Sequence, residues 1–153
     1  RYGIQARRPS LHHQIFNLKE WSLRMKSLQG KRILVVEDEA IVALMVEDIL
    51  GECGAKVVGS ARTIEDGLSV AKTMDLDAAV LDVNVRGLRI DPIVEVLTAR
   101  GIPFLLATGY GKVEFANGRN APHIEKPYTP ENLANGLANA IQLNELEQSR
   151  KFL

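Results

Sequence analysis

AAVLDVN, residues 78–84, places four apolar residues before Asp82 and follows it with Val83 and Asn84. A short apolar run of this kind reads as a buried strand, and a strand that closes on an aspartate carries the carboxylate to the rim of its sheet. In open α/β sheets that rim, at the strand carboxyl ends, is where ligands bind. The pattern recurs along the chain. ILVV (33–36) runs into Glu37, Asp38 and Glu39, PFLLA (103–107) into Thr108, and HIE (123–125) into Lys126. Four runs therefore bring carboxylates, a hydroxyl and an ammonium to one edge, with Asp82 at its centre.

The 153 residues suffice for one domain with a full core, and the 46% apolar and 25% charged content is that of an ordinary globular protein. A single cysteine, Cys53, excludes an internal disulfide and fits a reducing compartment. No apolar run is long enough to span a bilayer and the N-terminus does not read as a secretory signal, so a cytoplasmic location without membrane contact is expected. The net charge of zero conceals an asymmetry: residues 1–32 hold eight Lys or Arg against Glu20 alone, a balance of +7, which leaves −7 for 33–153. A basic arm can bind nucleic acid or an acidic surface, or be a solvated extension.

Three segments are expected: a basic N-terminal extension over 1–29, helical in part, a folded domain over 30–145, and a polar tail over 146–153 that frays. Residues 1–9 show no periodicity. Ser10 can cap a helix with Leu11, Ile15, Leu18, Ser22 and Met25 on one face. The chain begins without methionine, which leaves open an excision from a longer protein, and Met25 is an alternative start. From Gly30 onward strands and helices alternate. A helix from about Ala40 to Cys53 carries Val42, Met45, Val46, Ile49 and Cys53 on one stripe and stops at Gly54. KVVGSA (56–61) is a strand. Thr63 with Asp66 caps a helix that turns Ile64, Leu68 and Ala71 inward. Strand 78–82 leads into a loop through Arg89, and Asp91-Pro92 reads as a cap and first helical residue. After strand 103–107 come the glycine-rich turn ATGYGK, a short helix near 113–117 and strand 122–125. Thr129-Pro130 then starts a last helix with Leu133, Leu137, Ala140 and Ile141 on one face. Five strands alternating with five helices imply a doubly wound α/β fold, flavodoxin-like (βα)5, with parallel strand order 2-1-3-4-5. Its topological switch point falls between the strands that carry Glu37, Asp38 and Asp82.

Crowded carboxylates repel one another, and a hard divalent cation resolves the conflict. Magnesium suits one or two carboxylates, waters and a phosphoryl oxygen. Asp38 and Asp82 are the candidate direct ligands, with Glu37 acting through water and the Asn84 backbone carbonyl completing the set. An aspartate so placed can attack phosphorus and form an acyl phosphate. Thr108 and Lys126 would hold the phosphoryl oxygens.

ILVVEDE, AVLDVNVRG, ATGYG and EKPYTPENL together resemble the receiver domain of two-component response regulators, over about residues 31–143. The resemblance implies Asp82 as phosphoacceptor, Glu37 and Asp38 as the acidic pair, Thr108 as the switch hydroxyl and Lys126 as the phosphate-binding lysine. It also implies a cis bond before Pro127. PFLLATGYG is similar to the alphaproteobacterial FAT GUY subgroup, with Leu106 where that motif has phenylalanine. Such receivers are typically stand-alone and work beside kinases of the HWE and related types. Glu37 departs from the commoner aspartate, and His123 stands where a switch tyrosine or phenylalanine is usual. Tyr110, flanked by Gly109 and Gly111, is therefore a second candidate for the aromatic switch.

The resemblance implies a signalling switch rather than an enzyme, one that takes part in its own phosphorylation and dephosphorylation. A sensor histidine kinase or phosphotransfer protein would supply the phosphate, and output would run through protein contacts. Direct DNA binding is not expected, since a short polar tail follows the last helix. A homodimer is one arrangement open to it, as is a receiver belonging to a hybrid kinase. The enzymatic alternative is a magnesium-dependent aspartyl-phosphate phosphatase, but that class wants an acid two residues after the nucleophile, where this chain has Asn84. A flavodoxin is disfavoured because the acidic EDEA loop would repel a flavin phosphate.

Overall fold

The computed structural model describes residues 11–109 and 121–152, with side-chain environments from Leu18 onward. The three central strands, 32–36, 78–82 and 104–108, are short and apolar because both faces are covered, whereas the edge strands 56–61 and 123–125 keep exposed residues. β1 (Arg32–Val36), β2 (Lys56–Ala61), β3 (Ala78–Asp82), β6 (Phe104–Thr108) and β7 (His123–Glu125) form one parallel sheet in the order β2-β1-β3-β6-β7. Setting aside β4 (Asn84–Val85) and β5 (Leu88–Arg89), which pair only with each other, this is the expected 2-1-3-4-5 order. The two-stranded hairpin replaces the loop expected through Arg89.

Alternation along the strands sorts the core into two layers. Ile33, Val35, Ala78, Val80 and Leu105 face α2 (Ala40–Glu52) and α5 (Pro130–Arg150). Leu34, Val36, Ala79, Leu81 and Leu106 face α3 (Ile64–Thr73) and α4 (Asp91–Ala99). An additional helix, α1 (Leu11–Leu28), joins the first layer: Leu28 is fully buried there, and Trp21 and Met25 pack against it.

The helix starts follow local chemistry. The Thr63 hydroxyl accepts from the Asp66 amide at 3.1 Å, and the Thr129 hydroxyl from the Asn132 amide at 3.1 Å, each satisfying an otherwise orphaned N–H. Asp91 does not act as the cap expected of it. It lies inside α4, whose N-cap is Ile90, and it pairs with Arg89 at 2.9 Å instead. In α2 the buried stripe is Ala43, Val46, Ile49 and Leu50, while Met45, expected inward, is exposed. The tail expected to fray is helical to Arg150. The expected helix near 113–117 lies outside the described residues, as does Tyr110.

Candidate functional site

β1 and β3 are adjacent and in register, Val36 beside Leu81, so the residues that follow them meet at the same end of the sheet. Glu37, Asp38 and Asp82 each present a carboxylate oxygen there, all within 4.8 Å of one another. On the other side β3 pairs with β6, Asp82 beside Ala107, and β6 with β7, Thr108 beside Glu125. The Lys126 amide donates to the Thr108 carbonyl at 2.8 Å, which seats the lysine at the same edge. Its Nζ donates to Asp82 Oδ2 at 3.1 Å and to Glu37 Oε2 at 3.2 Å. The Lys126–Pro127 bond is cis, as the resemblance implied.

Burial sets the electrostatics. Glu37 is 3% exposed, and that burial, reinforced by the Asp82 charge, raises its pKa to about 7 against the opposing pull of the Glu39 amide and Lys126. Burial disfavours the Lys126 ammonium, but Asp82 and Glu37 together outweigh it and hold its pKa above the ordinary lysine value. Asp38 is held below the usual carboxylate range, chiefly because its Oδ2 accepts from the Arg86 backbone amide at 3.0 Å. A carboxyl kept part-neutral by confinement, beside one kept ionised by an amide, is the donor set that a hard divalent cation would complete. Oxygen ligands at this spacing fit magnesium.

Thr108 closes β6 and is buried at the same edge. Asn84 begins β4, two residues beyond Asp82. His123 is exposed on β7, with Nδ1 3.2 Å from the Ala121 carbonyl, which can only accept. One feature escaped sequence reasoning. Ile41, Leu44 and Met45 are 82%, 56% and 45% exposed, and with Tyr128 and Pro130 they line a groove beside the site. Their i, i+3, i+4 spacing on a helix that already had one apolar stripe was the available signal.

No family model matches the chain. The transcriptional regulatory protein PdtaR of Mycobacterium tuberculosis is 27% identical over 116 residues, 72% of this chain and 57% of its own length. The chain thus spans little more than half of that curated relative. The solution structure of SdrG from Sphingomonas melonis Fr1 shares 37% identity at a TM-score of 0.61, over 78% of this chain and 98% of that one. The CheY-like response regulator receiver domain protein from Methanospirillum hungatei JF-1 has the same fold at 23% identity, with a TM-score of 0.64 over 78% of this chain and 99% of that one. Sheet order, edge chemistry and these likenesses agree: the chain belongs to the response regulator receiver domains of two-component signalling.

Proposed function

We propose that this receiver accepts a phosphoryl group from a phosphohistidine onto Asp82, in a magnesium-dependent step, and signals by altering its protein-binding surface. The observation that carries the reading is Lys126 Nζ, shared between Asp82 and Glu37 with Asp38 alongside. Asp82 is the nucleophile, since it ends a central strand with one oxygen tied to Lys126 and is part-exposed to an incoming donor. Asp38 and Asp82 would hold the cation directly, with Glu37 through water and the Asn84 carbonyl. Bound magnesium would offset the negative charge of carboxylates and phosphoryl oxygens alike. Lys126 takes over a phosphoryl oxygen once Asp82 carries the acyl phosphate, and Thr108 supplies a hydroxyl for another. The chain is then a phosphoacceptor rather than a turnover enzyme, and the resemblance of PFLLATGYG to the FAT GUY motif, with Leu106 in place of phenylalanine, supports a receiver of that subgroup. For the switch, Thr108 is the first mover, with His123 and Tyr110 as the candidates that relay it.

The donor is a sensor kinase or phosphotransfer protein. The apolar groove of Ile41, Leu44, Met45, Tyr128 and Pro130 lies beside the Glu37–Asp38 end of β1 and suits a helical partner face. Incubation with radiolabelled, autophosphorylated histidine kinases of the source organism tests this. Label should pass from at least one kinase to the chain, and Leu44→Glu should slow that transfer about tenfold or more. Phosphorylation by the small donor phosphoramidate should be unaffected by Leu44→Glu. Equal transfer to Leu44→Glu would refute the docking face, and label accepted from phosphoramidate but from no kinase would refute the donor assignment.

A further inference from the structure

We propose that the Arg86–Gly87 turn is a positioning device for the metal ligands, with the Arg86 backbone amide orienting Asp38 while the same hairpin fixes the Asn84 carbonyl. The inference rests on the reading of the acidic cluster as a magnesium site and reaches one layer beyond it.

Val83 is buried, Asn84 exposed and Val85 fully buried, so the chain leaving Asp82 alternates as a strand and anchors itself in the core. It then reverses. β4 and β5 pair antiparallel, Asn84 opposite Arg89 and Val85 opposite Leu88, which leaves Arg86 and Gly87 as a two-residue connection. Of the two favoured hairpin turns of that length, type I′ requires positive φ at both central residues. Arg86 has φ 51° and Gly87 φ 79°. Among the described residues Arg86 is the only non-glycine in this region, which is uncommon for a residue with a Cβ.

Three contacts hold it there: the buried Val85, the Ile90 amide donating to the Val83 carbonyl at 2.9 Å, and the Arg86 amide donating to Asp38 Oδ2 at 3.0 Å. The last joins residues 48 apart in sequence and ties the turn to the loop after β1. The Arg86 side chain is exposed, so its contribution to the site is the backbone N–H. A carboxylate with one oxygen fixed by a rigid donor presents the other in a set direction, and outer partners of this kind govern metal affinity. Asn84 begins β4, two residues before the turn residue Arg86, so one turn conformation sets both groups.

Calorimetric titration of the full chain with magnesium chloride, alongside metal-free melting curves, tests the proposal. Arg86→Gly keeps the amide and favours positive φ, and its dissociation constant should stay within about twofold of wild type. Arg86→Val opposes that φ and should weaken magnesium about tenfold or more, beyond any change in metal-free melting. Gly87→Ala meets no atom within 4 Å, so it strains the turn through backbone alone and should also weaken binding. If Arg86→Val does not fold, Gly87→Ala decides. Wild-type affinity in the folded turn variants would overturn the proposal, as would Arg86→Gly losing as much as Arg86→Val, which would assign the effect to the guanidinium. No magnesium uptake by wild type would instead remove the metal reading itself, and this proposal with it.

Discussion

Glu37 is the residue whose own chemistry the cluster alters most. Its pKa of about 7 in the folded protein lies above the ordinary value of 4.5, so between those limits the folded state binds more protons than the unfolded chain. Stability from the protonated form is complete below the ordinary value and is lost as pH rises through about 7. The melting temperature of the metal-free protein should therefore fall from about pH 5 to about pH 7.5, and Glu37→Gln should flatten that slope; an unchanged slope would contradict the account. Asp38 works in the opposite sense. Its depressed pKa stabilises the fold above the ordinary carboxylate range, and that contribution is lost in acid. Asp38 also carries the metal reading. At magnesium one hundred times its dissociation constant the wild type should gain about 2.7 kcal/mol. Asp38→Ala should erase that gain, and a full rise in melting temperature in the variant would exclude Asp38 as a ligand. The meeting of Glu37, Asp38, Asp82 and Lys126 was legible because each ends or follows a strand at the same edge of the sheet. The Arg86 amide was not, since a backbone donor has no residue type to announce it.

Elements were legible where one interaction decides them. β1, β3 and β6 stood out because burial on both faces demands unbroken apolar runs, and the capping threonines of α3 and α5 announced themselves through their own hydrogen bonds. α2 misled because it carries apolar residues nearly all round. Periodicity cannot tell the stripe that packs on the sheet from Ile41, Leu44 and Met45, which face solvent. Asp91 misled because Arg89 competes for its carboxylate, leaving the backbone uncapped by it. Packing between α3 and α4 turns on Gly67, whose added Cβ would lie 2.5 Å from Ile93 Cδ1 and 3.2 Å from Val36 Cγ2. Gly67→Ala gains about 1 kcal/mol of helix propensity. Overpacking against the fully buried Ile93 costs about 1–3 kcal/mol, so a net loss of about 1 kcal/mol is expected, read as a lowered denaturant midpoint at unchanged m. A stabilised Gly67→Ala would show that α3 can shift freely on its neighbour.

Across the molecule, the basic stretch 1–32 includes a helix, α1, that shares the core of the sheet. Leu28 is 0% exposed, so α1 is more than a solvated arm at its C-terminal end. Leu28→Ala should cost about 2–5 kcal/mol, read from chemical denaturation, whereas an inert extension would leave stability unchanged. None of the described helices is long and apolar enough to cross a membrane. The whole fold converges on one edge, where Asp82 meets Lys126 at 3.1 Å with Glu37 and Asp38 beside it. Intact-mass spectrometry after incubation with acetyl phosphate, with and without magnesium, reads that convergence directly. One added phosphoryl group is expected on the wild type, dependent on magnesium and absent from a folded Asp82→Asn; undiminished phosphorylation of Asp82→Asn would rule out Asp82 as the acceptor.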